Sequence, residues 1–224
     1  MVIGKENMNV YIPIEQESLG RLVANKLRKS IWEKELKFGE RLVETDLSER
    51  FQVSRSTIRD ALKILEYEEL VVSKPRKGTY VANFTKEDWR EMLELRILIE
   101  SHAFVNALDY LTDEHFEQLE AIIEKMKEYL SEPNWSKLFD LDMKFHHYVI
   151  TLSGNSRIIR IYESLQIQIR TFLIHLETFY SSPQSFYEEQ KELLETLKTK
   201  DPKSVDKKIR THIGYVEGRL LTGD

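Results

Sequence analysis

Cysteine is absent from the 224 residues, which excludes disulfide staples, thiolate zinc sites and cysteine nucleophiles together. Any metal must be held by histidine, carboxylate or amide groups. Glycine and proline number only 8 and 5, too few for the glycine-rich loops that cradle nucleotides. No apolar run approaches the ~18 residues of a membrane span, and the opening MVIGKENMNV has neither an apolar h-region nor a small-residue cleavage site. The expectation is a soluble, cytoplasmic protein with no membrane partner. What is present is 41% hydrophobic residues, enough to bury a core in one large domain or two small ones.

The net charge of −5 hides a division. Residues 19–84 hold 14 Lys and Arg against 10 Asp and Glu, whereas residues 85–224 hold 18 against 25. A basic excess of this size fits a nucleic-acid partner and fits an ordinary solvated face equally, so the pattern inside the first third has to discriminate. Leu19, Leu22, Val23, Leu27 and Ile31 follow helical spacing and predict a first amphipathic helix to Trp32. A short RLV piece leads to TDLSERF, one to two helical turns, and Ser54 is a plausible N-cap for a third helix through Glu66 with Ile58, Ala61, Leu62 and Leu65 on one face. LVVS and TYVAN, separated by Lys74-Pro75-Arg76-Lys77-Gly78, read as a basic hairpin. Any one of these pieces is common in globular proteins. In this order they make a winged helix-turn-helix.

In such a motif the second helix of the pair enters the major groove with its N-terminus first. Arg55 and Arg59, four apart, would share a face at that end, with Ser56 and Thr57 as short donors. The plain alternative for Arg59 is a salt bridge to a neighbouring carboxylate. The run GERLVETDLSERFQVSRSTIRDALKILEYEELVVSKPRKGTYV closely resembles the DNA-binding domain of the GntR family of bacterial transcription regulators, over residues 15–84. The resemblance implies that Arg55, Ser56, Thr57 and Arg59 meet an operator, that Thr45 just before the second helix touches the DNA backbone, and that the wing at Lys77 and Gly78 approaches the minor groove. Two departures concern turns: Glu69 stands where the family has a helix-ending Gly, and Lys34 and Phe38 replace a usual Gly and Pro.

Beyond Thr85 the periods are helical throughout. Helices are expected at 86–107, 113–131, 135–153, 156–180, 184–199 and 202–221, with breaks at Leu111-Thr112, Pro133, Gly154-Asn155, Pro183 and Asp201-Pro202. The fold class is therefore mostly α: a winged helix-turn-helix in residues 1–84 and an all-α helical bundle in 85–224. Asp142 and His146, at i and i+4, share a helical face and could hold one ion or form a hydrogen-bonded pair. His147 points about 100° away and is set aside. His175, amid Phe172, Leu173, Ile174 and Leu176, reads as a core or interface histidine.

Arg96-Ile97-Leu98-Ile99-Glu100, Asp142-Met143-Lys144-Phe145-His146, Gly154-Asn155 and a late His212 resemble the FadR-type C-terminal ligand-binding domain, called FCD, over residues 86–221. That resemblance implies a divalent metal (zinc, nickel or manganese) on Asp142, His146 and His212, beneath a cavity for a small organic acid. The fourth ligand position is Gln190, a neutral and weaker oxygen donor than imidazole, so the ion can also have been lost. Arg96 and Arg170 could line the same cavity and pair with a carboxylate effector, or form structural salt bridges instead.

The combined expectation is a repressor, not an enzyme, that binds a double-stranded operator as a homodimer and responds to a carboxylate effector. Two rivals remain at this stage. One is a metal-dependent enzyme using Asp142, His146 and His212, against which no acid, base or nucleophile is marked. The other is a dimerising bundle with no effector.

Overall fold

A computed structural model describes residues 17–177 and 180–216; expectations for residues 1–16, for 178–179 and for the end of the last helix beyond 216 lie outside the described residues. No helix among the described residues is long and apolar enough to cross a membrane.

The head begins with α1 (Leu19–Trp32), capped by the Ser18 hydroxyl, which accepts from the Arg21 N–H. α2 (Glu44–Phe51) and α3 (Arg55–Tyr67) follow, and Ser54 caps α3 as expected by accepting from the Thr57 N–H. Ile58, Ala61, Leu62 and Leu65 of α3 are all buried against Val23, Ala24, Leu27 and Ile31 of α1. Full burial of each large aliphatic side chain contributes about 1.5 to 3 kcal/mol. The apolar stripe of α1 is narrower than its spacing predicts, because Leu19 and Leu22 are exposed.

The hairpin forms as β2 (Val71–Lys74) and β3 (Gly78–Val81), in antiparallel register with Lys74 opposite Gly78. A strand that the sequence did not announce, β1 (Arg41–Leu42), pairs with Tyr80 and Thr79, so β3 is central in a three-stranded sheet. The turn departures leave the turns intact. Lys34 and Glu69 both take φ of 60°, and each closes a Schellman motif: Glu35 N–H to Ser30 C=O after α1, Leu70 N–H to Leu65 C=O after α3.

Residues 82–85 lead into the bundle, where Thr85 and Asp88 cap each other's backbone at the start of α4 (Lys86–Ala107). α5 (Asp113–Met126), α6 (Trp135–Thr151), α7 (Ser156–Leu176), α8 (Pro183–Lys198) and α9 (Pro202–Ile213) complete it. Every expected break falls at a boundary, each with an oxygen-bearing N-cap: Thr112, Asn134, Asn155, Ser182 and Asp201. α5 stops earlier than predicted, passing into a 3-10 turn at Lys127–Tyr129, and α6 stops at Thr151. The core gathers Phe104, Leu119, Phe139, Phe145, Phe186, Leu197 and Ile209.

Head and bundle meet along α7. The Trp32 indole N–H donates to Thr171 Oγ1 at 2.9 Å, and the Arg170 guanidinium lies 4.1 Å from the Trp32 ring. Phe38 packs 4.4 Å from His175, Phe84 packs 4.6 Å from Phe172, and Lys34 pairs with Glu177.

Candidate nucleic-acid interface and metal centre

The first turn of α3 stands clear of the head's core, with Arg55, Ser56 and Arg59 exposed and Thr57 half-buried. Ser54 Oγ gathers the Ser56 and Thr57 hydroxyls at 2.7 and 2.9 Å, which orders the donors at the helix N-terminus, where an anion is favoured. Arg59 Nε donates to Glu44 Oε2 of α2 at 2.9 Å, so the salt bridge foreseen as its plain alternative is present. Both groups are solvent-exposed, however, and such a pair is worth at most about 1 kcal/mol, so it does not commit the guanidinium. Thr45, expected just before the second helix, sits inside the first turn of α2, half-buried, with its hydroxyl donating to Asp46.

Lys77 and Gly78 end the wing turn, both exposed. Gly78 has φ of 105°, a backbone conformation that favours glycine, and a Cβ there would come within 3.2 Å of Arg41 Nε, so the guanidinium would have to shift slightly. The unannounced strand β1 thus places a further cation, Arg41, against the wing.

In the bundle, Asp142 and His146 of α6 and His212 of α9 each offer a ligand atom, all within 4.8 Å of one another, the first two buried and His212 half-buried. His146 Nε2 lies 3.2 Å from His212 Nε2 and 3.5 Å from Asp142 Oδ1. Gln190 of α8 is completely buried there; its amide nitrogen bonds to Asp142 Oδ1 and lies 3.3 Å from His212 Nε2. The structure thus brings Asp142, His146, Gln190 and His212 to one place, from three helices.

Glu100 of α4 organises the cluster from behind. Its Oε2 sits 2.6 Å from His146 Nδ1, and Arg96 Nε donates to its Oε1 at 2.6 Å. Burial would raise the Glu100 carboxyl, but Arg96 and then His146 outweigh it and hold the group down at about 2. The ionised Glu100 faces His146 Nδ1, which makes Nδ1 the donor to it and turns Nε2 to the cluster, as in carboxylate–histidine–metal arrangements. Burial favours the neutral form of His212. Asp142 Oδ2 and Gln190 Oε1 are buried without partners among the described residues. Convergent nitrogens and orphaned oxygens in a buried interior fit a divalent cation, and a half-turn of the Gln190 amide would present Oε1 to it.

Two family matches divide the chain at these two places: the bacterial regulatory protein gntR family over residues 19–81 and the FCD domain over residues 91–215. The chain belongs to the GntR family. It is similar to the gluconate operon transcriptional repressor of Bacillus licheniformis, 26% identical over 92% of this chain and 87% of that protein. It is 27% identical to the HTH-type regulator YdhC of Bacillus subtilis, over 85% of this chain and 86% of that protein. Among solved structures, a GntR regulator from Rhodococcus sp. RHA1 superposes with a TM-score of 0.76 at 23% identity, covering 92% of this chain and 98% of the other, a likeness of fold. This GntR member is a DNA-binding transcription regulator with an effector-binding FCD domain, and it is not an enzyme.

One placement in this regulator differs from the single cavity anticipated for Arg96 and Arg170. Arg96 does stand at the cluster, locked to Glu100. Arg170 instead faces the head: it bonds Asp140 Oδ1 through Nε at 2.7 Å and Ser136 Oγ through Nη2 at 3.0 Å, and it lines a cleft to which none of the cluster residues contributes. The physical reason is that Arg170 lies on the face of α7 that meets Trp32. His175 occupies the aromatic joint, as an interface histidine should. Glu100 and the fully buried Tyr162, whose hydroxyl has no partner among the described residues, were missed as site residues. For Glu100 the signal was available: a carboxylate at an apolar-spaced position of α4, four residues after an arginine.

Proposed function

We propose that this regulator reads a two-fold symmetric operator as a homodimer and represses transcription until a small organic acid enters the FCD bundle. The observation that carries this is the free N-terminal turn of α3, whose Arg55, Ser56 and Arg59 are exposed while the opposite face is locked in the head's core. In this reading those residues and Thr57 meet base edges and phosphates, Thr45 touches the backbone, and Lys77 and Gly78 bring the wing to the minor groove. The head runs to residue 84 and the bundle from 85. Dimerisation is supported by Leu98 of α4 and Ile161 of α7, large apolar side chains left 68% and 50% exposed on helices that pack on each other.

Asp142, His146 and His212, with Gln190 at the fourth position, would hold zinc, nickel or manganese. Such an ion supplies a Lewis-acidic position for the effector's carboxylate. Arg96, held charged by Glu100, adds a positive potential, and Glu100 fixes the imidazole of His146. The effector acts by binding one arrangement of the two heads better than the other.

Selection of bound sequences from a random DNA pool by the purified chain tests this. The expected product is an inverted repeat with half-sites about one helical turn apart, bound by a dimer in sedimentation. Enrichment of no common sequence, or of a single half-site bound by a monomer, would overturn the reading.

A further inference from the structure

The cleft between head and bundle belongs to neither site above. Its volume is about 690 Å3, with walls from both units: Trp32 and Lys34 at the end of α1, Trp135 and Lys137 at the start of α6, and Arg170 of α7. That size suits a small-molecule site. Arg170 is only 9% exposed, and its Nη1 has no partner among the described residues although Nε and Nη2 are bonded. A buried guanidinium N–H left unpaired is costly, and since Nη1 is itself covered, a carboxylate reaches it by a small shift of the Arg170 side chain over the Trp32 ring.

The fixed charges narrow the ligand. Lys29, Lys34, Lys137 and Arg170 line the cleft. Glu33, Asp140 and Glu177 oppose them, leaving a single positive excess. A monoanion matches that excess, whereas a polyanion would meet three carboxylates. Lys137 is the least committed cation near Arg170: its Nζ is 4.0 Å from Asp140 and its side chain is 57% exposed. Trp32, which carries Arg170 on one face, and Trp135, which stacks on Phe139, are both half-buried and leave the rest of their rings as apolar walls.

We infer that this cleft is a second ligand site, for a small aromatic monocarboxylic acid whose carboxylate meets Arg170 and Lys137 and whose ring lies against the two indoles. The ligand touches α1 on one side and α6 and α7 on the other. Its occupancy holds the head against the bundle, so it limits the head's orientation independently of the cluster around Asp142.

The three tryptophans make the site observable, because Trp32 and Trp135 line it while Trp89 lies at the His175 joint. Full-length protein labelled with 5-fluorotryptophan is titrated with 2-naphthoate and followed by fluorine NMR, each resonance assigned by a Trp→Phe variant. Saturable shifts of Trp32 and Trp135 with Trp89 unmoved are expected, and the neutral 2-naphthamide should bind about 10-fold more weakly or worse. Arg170→Gln should cost about 10-fold in affinity, and Lys137→Glu, on an exposed side chain that does not hold the fold, should weaken binding several-fold. Absence of saturable shifts at Trp32 and Trp135, equal affinity for acid and amide, or an unchanged affinity in Lys137→Glu would each overturn the inference.

Discussion

Glu100 and His146, on different helices and both wholly buried, are joined by a 2.6 Å hydrogen bond that determines which imidazole nitrogen faces Asp142 and His212. Glu100→Gln removes the counter-charge of buried Arg96 and frees the His146 tautomer. Breaking a buried ion pair on one side costs about 3 to 5 kcal/mol, to be read from urea unfolding, and loss of the outer-shell carboxylate should weaken zinc binding by about 10- to 100-fold. Wild-type stability and zinc affinity in this variant would remove Glu100 from the organising role.

Gln190 supplies an amide where imidazole would complete the donor set. Gln190→His should raise the zinc, nickel or manganese content of untagged protein after dialysis against excess ion, as measured by elemental analysis. If neither protein takes up metal, the cluster is a hydrogen-bonded polar core, with the Gln190 amide itself donating to Asp142.

Arg55→Ala and Arg59→Ala should each lose about 1 to 3 kcal/mol of operator affinity, and loss of a phosphate contact also lowers the salt slope by about one. Both side chains are exposed, so circular dichroism and the melting temperature should not move. Fluorescence anisotropy on the selected operator checks this, and unchanged binding in both variants would show that Arg59 serves only its bridge to Glu44.

Glu69 bears a side chain in a left-handed conformation at the end of α3. That conformation costs a non-glycine residue about 1 to 2 kcal/mol, partly offset by the greater chain entropy glycine loses on folding. Glu69→Gly is therefore expected to stabilise the head by about 0.5 to 1 kcal/mol in chemical denaturation. A lower midpoint in the variant would refute the argument.

His175 is held below its ordinary 6.5 by burial first and by Lys34 second, with Glu177 engaging that lysine and the rings of Phe38, Phe84 and Trp89 enclosing it. The fold prefers the neutral imidazole, so its contribution to stability is complete above 6.5 and declines as pH falls from 6.5 toward the depressed value. Melting curves above 6.5 and one or two pH units below it should show a smaller acid loss in His175→Gln than in wild type. Identical pH dependence would place the titration elsewhere.

The winged helix was legible because α3 and the hairpin carry strong local signals: four apolar residues at helical spacing behind Ser54, and β-branched runs around Pro75. Strand β1 was not, since two residues have no periodicity and exist as a strand only by pairing with Thr79 and Tyr80. Asp142 and His146 could be placed together from one helix period. Their meeting with His212 and Gln190 depends on how α6, α8 and α9 pack, which spacing along one helix cannot supply, and only the family resemblance pointed to it. The separation of Arg170 from Arg96 depends on which face of α7 the head covers, a tertiary choice with no local signature.

The link between β3 and α4 is only residues 82–85, and both ends are occupied: Ala82 N–H bonds to Leu70 C=O, and Thr85 caps α4. Fully extended, four residues reach no more than about 14 Å. The regulator's head is therefore a short-leashed body that cannot swing out on a flexible arm. Two such heads in a dimer could alter their mutual separation by only a fraction of a DNA helical turn. An effector would act on fit to a fixed half-site spacing, and inserting a few base pairs between half-sites should defeat binding whatever the effector.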